Sequence, residues 1–576
     1  MRVIGGAGAL LLLLLLPNGG EAGWGGPPAL QEEGAPPDSI RGVVYLDVEG
    51  TGTRDPGDPP VPGALVSNQH QVVVTDEAGR WALPALPEMV TFVVAPPGYQ
   101  VPVDSLNLPV FHHVHRPDGS PTMRYEGVPA TGPLPELVEF GLIRGLDRGE
   151  GPIRTAMLAD PQTTDHRELG WYRDRILTPL AGEEGIAAAF VLGDIMNDDL
   201  SLLPRYTRLS AATGIPTFHL VGNHDLNFDA PAPRYATETF IRWFGPTWYA
   251  VRLGDAVFMA LNNVDYEGTG YDERGRYRGH LGQDQLAWVE ALLAHVPPED
   301  PVVVMAHIPF AFFGADNPGV TTDDRGELFR LLEGRANVLF LSGHTHSTAH
   351  QLLGPADGWY GERSVQHLNV TAASGGWWRG PPAADGIPMA TQRDGTPHGY
   401  HLLEVSNEGF QERLVAQGPE AGRQLRLSSP ETGGHGGGET SSGTGTVGAT
   451  MGEPLVVNVF NAGADTRVQV RVDGGPWADL AWVPGSDPFF VRQLERFPEA
   501  FGNRLESLSS PVMQLSTHRW IGPSLEALLE EVGQEADLPR TVRIEVRATR
   551  PDGSVYSDVA LRELGAAAKP MELSTP

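Results

Sequence analysis

TAMLADPQ at 155–162, AFVLGDIMND at 189–198, FHLVGNHD at 218–225, VVVMAHIPF at 302–310 and VLFLSGHTH at 338–346 share one design. Each is an apolar run of strand length that breaks off into a polar cluster. Such runs, alternating with amphipathic stretches, are the pattern of a domain with helices layered on sheets. LGQDQLAWVEALLAHV (281–296) is the clearest helix, with Leu286, Val289, Leu292 and Leu293 spaced to form one apolar face. In layered α/β domains the loops at the carboxyl ends of neighbouring strands converge on one crevice. Asp160, Gln162, Asp194, Asn223, His224, His307, His344 and His346 are therefore expected to meet in space. Carboxylate, amide and imidazole donors without sulfur suit a pair of hard-to-borderline divalent ions.

Outward from this core, about 151–400, the texture changes on both sides. RGVVYLDVEG (41–50), ALVSNQHQVVVTDEAGRWALPAL (64–86) and MVTFVVAPPGYQV (89–101) alternate in strand fashion between turn residues and predict a small β-sandwich over 40–150. After residue 400, HLLEVSN, PLVVNVFNAG, TRVQVRVDGGPW and RTVRIEVRATRPDGSVYSD predict a second β-domain over 401–566. It is interrupted at 428–452 by a Gly/Ser/Thr tract too poor in apolar side chains to offset its ordering entropy, and followed by a tail, 567–576. The fold class expected is multidomain: a central layered α/β unit, a β-sandwich flanked by helices, between two all-β domains.

The chain opens with Met1-Arg2, an apolar run from Val3 to Leu16 and small residues up to Ala22, the three regions of a secretory signal peptide. A Gly/Pro-rich linker, 23–39, follows. Export to the periplasm or the medium is expected, with no stable membrane insertion once the signal is removed. A net charge of −31 disfavours nucleic-acid and anionic-membrane partners, and no nucleic-acid module is recognisable. With no cysteine in the chain, disulfides and thiolate metal sites are excluded.

In the first β-domain, DVEGTGTRDPGD (47–58) places Asp47, Glu49, Thr51, Asp55 and Asp58 at positions 1, 3, 5, 9 and 12, the spacing of an EF-hand-type calcium loop. Position 12 is Asp rather than Glu and no helices flank it, so an ordinary acidic turn competes with calcium binding. In the stretch 371–400, Trp377, Trp378 and Arg379 read either as a wall for substrate, with the guanidinium on phosphate oxygens, or as packing against the C-terminal domain. FHHVHRPDGSP (111–121) reads as a domain contact, and Asn197, Asp198 and His219 have no motif role.

The order of the five clusters resembles the signature of the calcineurin-like metallophosphoesterases: D-x-H, G-D-x-x, G-N-H-D/E, a lone His and G-H-x-H. Four elements match outright, and Gln162 stands where the commonest pattern has His. The resemblance implies two divalent ions, Mn, Fe or Zn, bridged by Asp194. The first would take Asp160, Gln162 and His346, the second Asn223, His307 and His344, and His224 would protonate the leaving oxygen or steady the phosphate. A water between two such ions becomes a hydroxide nucleophile at neutral pH. An amide oxygen is a harder, weaker ligand than imidazole, so Gln162 is expected to loosen the first site and favour Mn or Fe over Zn.

The three-part layout, with DGTPHGY, NVFNAG and RVDGGPW, also looks like exported bacterial members of that family with N- and C-terminal accessory domains. A metal-dependent phosphodiesterase or phosphomonoesterase is the function this implies. The competing reading is a surface or carbohydrate-binding protein with a structural metal centre, which would not require His224. Oligomeric state is not legible.

Overall fold

A computed structural model describes residues 39–268, 276–313, 315–428, 452–504, 515–533 and 540–564. The signal peptide, the tail, and all but the edges of the linker and of the 428–452 tract lie outside the described residues. No helix among the described residues is long and apolar enough to cross a membrane.

Two central sheets position the site. In the first, the strands run in the order Thr217–His219, Ala188–Val191, Ile153–Leu158, Gly399–Ser406 and Gly409–Ala416, the first three parallel. The second runs Tyr249–Leu253, Ala256–Ala260, Val302–Met305, Val338–Ser342, Val365–Asn369 and Ala349–Leu353, its four inner strands parallel. Strands covered on both faces must be apolar throughout, which is why the alternation vanishes in these runs.

The two faces of one strand enter different cores. Met157, Ala188 and Phe190 point between the sheets, where Phe190 stacks on Phe258 of the other sheet at 4.9 Å. Ala156, Leu158, Ala189 and Val191 pack outward against Leu169 and Tyr172 of the helix His166–Tyr172 and Leu203 and Tyr206 of the helix Leu203–Ala211. On the far side the helix Gln283–Leu293 buries Leu286, Val289 and Leu292.

The amino-terminal part, up to Arg144, consists of two four-stranded sheets whose apolar faces share a core containing Val44, Trp81, Val66 and Phe92. That core is continuous with the central domain. Phe92 meets Trp288 edge-on at 6.1 Å, and the Trp288 indole N–H donates to Ser67 Oγ at 3.0 Å. Among the described residues, the carboxyl-terminal part is again two four-stranded sheets, around Val457, Val470, Trp520 and Ile544, plus the short pair Gly485–Ser486 and Leu515–Ser516. Among the described residues it also carries the short helices Pro488–Arg496 and Leu525–Glu531, so it is not purely β as expected.

One boundary differs from the expectation. The stretch HLLEVSN, assigned to the C-terminal domain, lies in the strand Gly399–Ser406, which pairs antiparallel with Ile153–Leu158 along the register from His401 opposite Met157 to Val405 opposite Ile153. With its hairpin partner Gly409–Ala416 it completes the central sheet. The apolar face of this hairpin is matched to the central core, where Leu403 and Val405 are buried.

Candidate metal centre

The loops after five parallel strands bring Asp160, Gln162, Asp194, Asn223, His224, His307, His344 and His346 together. Asp160, Gln162, Asp194, His344 and His346 all adopt positive φ, between 40° and 74°. Each such residue costs about 1–3 kcal/mol and persists only where its surroundings demand it. Two glycines allow the loops to close. A side chain at Gly222 would meet Asp194 Oδ1 at 2.3 Å, and one at Gly343 would meet Asp160 Oδ2 at 2.7 Å.

Three histidines are presented by their second nitrogens. His307 Nδ1 lies 2.8 Å from the Leu192 carbonyl, His344 Nε2 2.9 Å from that of Gly319, and His346 Nδ1 2.6 Å from that of Gly375. A carbonyl only accepts, so those nitrogens carry the protons and His307 Nε2, His344 Nδ1 and His346 Nε2 are left with lone pairs, the tautomers a metal ligand needs. His307 Nε2 then faces Asn223 Oδ1 at 3.1 Å, Asp194 Oδ1 at 3.3 Å and His344 Nδ1 at 3.2 Å. All four are acceptors. Acceptors so placed suit a cation between them; burial alone would lower His307, but Asp194 and then Asp160 hold its imidazole up at about 9.

Asp160, Gln162 and His346, expected at the first site, lie on neighbouring loops. Asp160 is fully buried, and its two oxygens share one backbone N–H, that of His344, at 3.1 and 2.9 Å. Burial, with Asp194 adding to it, pushes its carboxyl up to about 7 against the pull of His307. His346 Nε2 lies 3.7 Å away. Gln162 donates from Nε2 to Asp194 Oδ2 at 3.2 Å, while its buried Oε1 has no hydrogen-bond partner. Asp160 with its single shared N–H, histidine lone pairs and an orphaned amide oxygen fit divalent cations.

Sequence reasoning left Asp198 without a role, yet its Oδ1 lies 2.5 Å from His224 Nδ1. The backbone N–H of His224 donates to Asp194 Oδ1 at 2.9 Å. Asp225 accepts from Ile195, Met196 and Gly222 N–H and so ties two of the loops. Tyr277 lies outside the five clusters: its ring meets His344 edge-on at 5.9 Å, and burial followed by Asp194 pushes its hydroxyl up to about 12. Asp225 closes the GNHD cluster, whereas no motif signals Asp198 or Tyr277, because their role comes from distance in space.

Other expectations fare differently. Trp378 is 2% exposed, with its indole N–H on the Pro161 carbonyl at 2.9 Å, so it is core beneath the first loop and not a wall open to substrate. Arg379 donates to the Phe501 carbonyl at 3.3 Å, toward the C-terminal domain. Trp377 stacks on His346 at 4.0 Å. His219 is a core histidine, bonded to Tyr206 and stacked on Phe244 at 4.0 Å.

The 47–58 loop is not shown to be a calcium site. Asp47 accepts from the N–H groups of Thr51 and Gly52 at 3.0 and 2.8 Å, and Asp58 from those of Val48 and Asp55 at 3.2 and 2.9 Å. Thr51 donates to Asp55 at 3.1 Å. These carboxylates brace their own turn, and Glu49 is exposed. Among the described residues, His280, Asp323 and Asp324 also lie close together. There Asp324 is occupied by the N–H groups of Leu281 and Gly282, and Asp323 by Arg278.

No curated protein matches the chain. Among solved structures it is similar to a dimetal phosphatase from Danio rerio, with 14% identity over 46% of this chain and 99% of that one and a TM-score of 0.31. It is also similar to the purple acid phosphatase PPD1 from yellow lupin (Lupinus luteus) seeds, with 14% identity over 66% and 67% of the two chains and a TM-score of 0.34. Family models match more directly: residues 154–348 match the calcineurin-like phosphoesterase, and residues 367–556 match the C terminal of calcineurin-like phosphoesterase. Matched by both models in tandem, and with acceptors gathered around cation positions, the chain is a calcineurin-like phosphoesterase, a metal-dependent hydrolase of phosphate esters.

Proposed function

We propose that the protein is an exported phosphoesterase acting on phosphate mono- or diesters through a two-ion centre. Asp194 would bridge the ions, with Asp160, Gln162 and His346 completing the first site and Asn223, His307 and His344 the second. The amide ligand favours manganese or iron over zinc. Such ions supply an activated water and offset charge on the phosphoryl oxygens. Export rests on residues 1–22, and the β-domains, divided from the core near residues 150 and 416, frame the crevice.

The observation that carries the reading is the pair His224 and Asp198, 2.5 Å apart, beside the proposed bridging carboxylate. With Nδ1 on Asp198 the imidazole is held in one orientation, and Nε2 is the nitrogen that would exchange a proton with the leaving oxygen. A structural metal site has no use for that arrangement. The test is hydrolysis of paired chromogenic phosphate monoesters and diesters by the mature chain, stripped of metal and reloaded with manganese, beside Asp194→Asn and His224→Ala. Manganese-dependent turnover lost in both variants is expected, and the ratio of the two rates assigns the substrate class. Bound manganese without turnover on either ester would overturn the reading.

A further inference from the structure

His346 is held from behind. The Trp377 indole stacks on its imidazole with the ring planes 16° apart and centroids 4.0 Å apart. The Arg393 guanidinium carbon lies 4.4 Å from the same indole. Trp377 in turn packs against Phe490 and Phe501, which belong to the C-terminal domain's helix Pro488–Arg496 and the turn after it. A stacked ring of this kind fixes the plane of an imidazole, and with it the direction of the lone pair on Nε2.

A polar route reaches the same loop. Asp394 accepts from the backbone N–H of Thr348, two residues beyond His346, at 2.5 Å. Its Oδ2 also lies 3.1 Å from Nε2 of His518 in the C-terminal domain, and its carbonyl accepts from Asn458 Nδ2 at 2.7 Å. Both routes run through one segment, 371–398, which lies between the metal loops and the C-terminal domain. These contacts are buried: Asp394 and Phe501 are 1% and 2% exposed and His518 0%.

We propose that the C-terminal domain serves the metal centre by clamping segment 371–398 against the His346 loop, with Trp377 the positioning residue that orients His346 toward the first ion. This rests on the two-ion reading above. The second ion's ligands, Asn223, His307 and His344, have no such backing from the C-terminal domain in these contacts, so the two sites should respond differently when the clamp is loosened.

The experiment is manganese titration of the full mature chain, reading stoichiometry and the affinities of the two ions, with the spin-coupled manganese-pair signal as an independent readout. Trp377→Ala is expected to weaken one of the two ions by about 10–100-fold and to abolish the coupled signal while the other ion binds as before. Trp377→Phe, which keeps a ring to stack, should stay within about threefold of wild type. Phe501→Ala, on the C-terminal side of the contact and away from the metals, should weaken the same ion by about fivefold. Val470→Ala, a cavity in the C-terminal core away from the clamp, should lower the unfolding temperature and leave both ions unchanged.

Two ions of wild-type affinity in folded Trp377→Ala, or in Phe501→Ala if the tryptophan variant does not fold, would overturn the clamp alone. Equal weakening by Val470→Ala would overturn it as well, by reducing the effect to general destabilisation. A wild-type chain that binds fewer than two manganese ions would overturn the two-ion reading and the clamp with it.

Discussion

The acidic turn at 47–58 and the loops around Asp194 both present carboxylates at suggestive spacings, and they come to opposite ends. In the turn, each oxygen of Asp47 has its own backbone N–H, and those of Gly52 and Thr51 together hold the acid below its usual range against the opposing push of burial. At the metal loops, burial, with Asp194 adding to it, pushes the Asp160 acid up to about 7, and the one N–H its two oxygens share, that of His344, does not offset it. Spacing alone does not make a cation site. What makes one is negative charge and lone pairs left over once the backbone donors have been assigned.

The contrast breaks most sharply at Asp194. Asp194→Asn should cost at least about a thousandfold in kcat/KM and lower the manganese bound per chain, whereas wild-type rates with that variant would remove the bridging role. His224→Ala should cost about 10²–10⁴-fold, mainly in kcat, with both ions retained; loss of metal instead would make His224 a ligand. Asp198→Asn keeps the shape and removes the carboxylate, and should cost about 10–100-fold with KM little changed. An unaltered pH–rate profile in that variant would argue against Asp198 acting through His224.

Histidines offer a milder version of the same comparison. His219, His367 and His398 lie in the core and are held neutral by burial, at about 3, about 3 and about 4. Below the ordinary value of 6.5 the unfolded chain takes up protons that these folded residues refuse. Stability therefore falls as pH drops from 6.5 toward 4, by up to about 1.4 kcal/mol per pH unit for each. Thermal unfolding at stepped pH should show this, and His219→Gln should flatten the slope by one proton; an unchanged slope would show that His219 accepts its proton in the folded state. The smallest effect belongs to Asp47→Ala, which should loosen the turn slightly and leave calcium without influence on unfolding. A calcium-dependent unfolding temperature in the wild type, lost in the variant, would reinstate the loop as a cation site.

Much of this was legible in the chain. The five strand-plus-cluster segments marked both the sheets and the residues at their ends, since a buried parallel strand must be apolar and its loop must carry whatever chemistry there is. The Trp377–Trp378 pair shows where that reading stops. Neighbouring residues of one type have opposite fates, one stacked on His346 and the other sealed under Pro161, because both take positive φ, 58° and 54°, in a turn that no local pattern announces. The stretch HLLEVSN reads as a strand from sequence, but the sheet it joins is chosen by which apolar face it can cover.

Local chemistry thus determined the strands, the central helix, the absence of sulfur ligands and the list of donors, since each depends on residue type and short-range period alone. Only the tertiary structure decided which acids keep their charge uncompensated, which histidine nitrogens face one another and which aspartate meets His224. It likewise decided that the C-terminal domain stands behind His346. Those outcomes depend on contacts between residues far apart in the chain, and closing the fold sets both their distances and the loss of water around them.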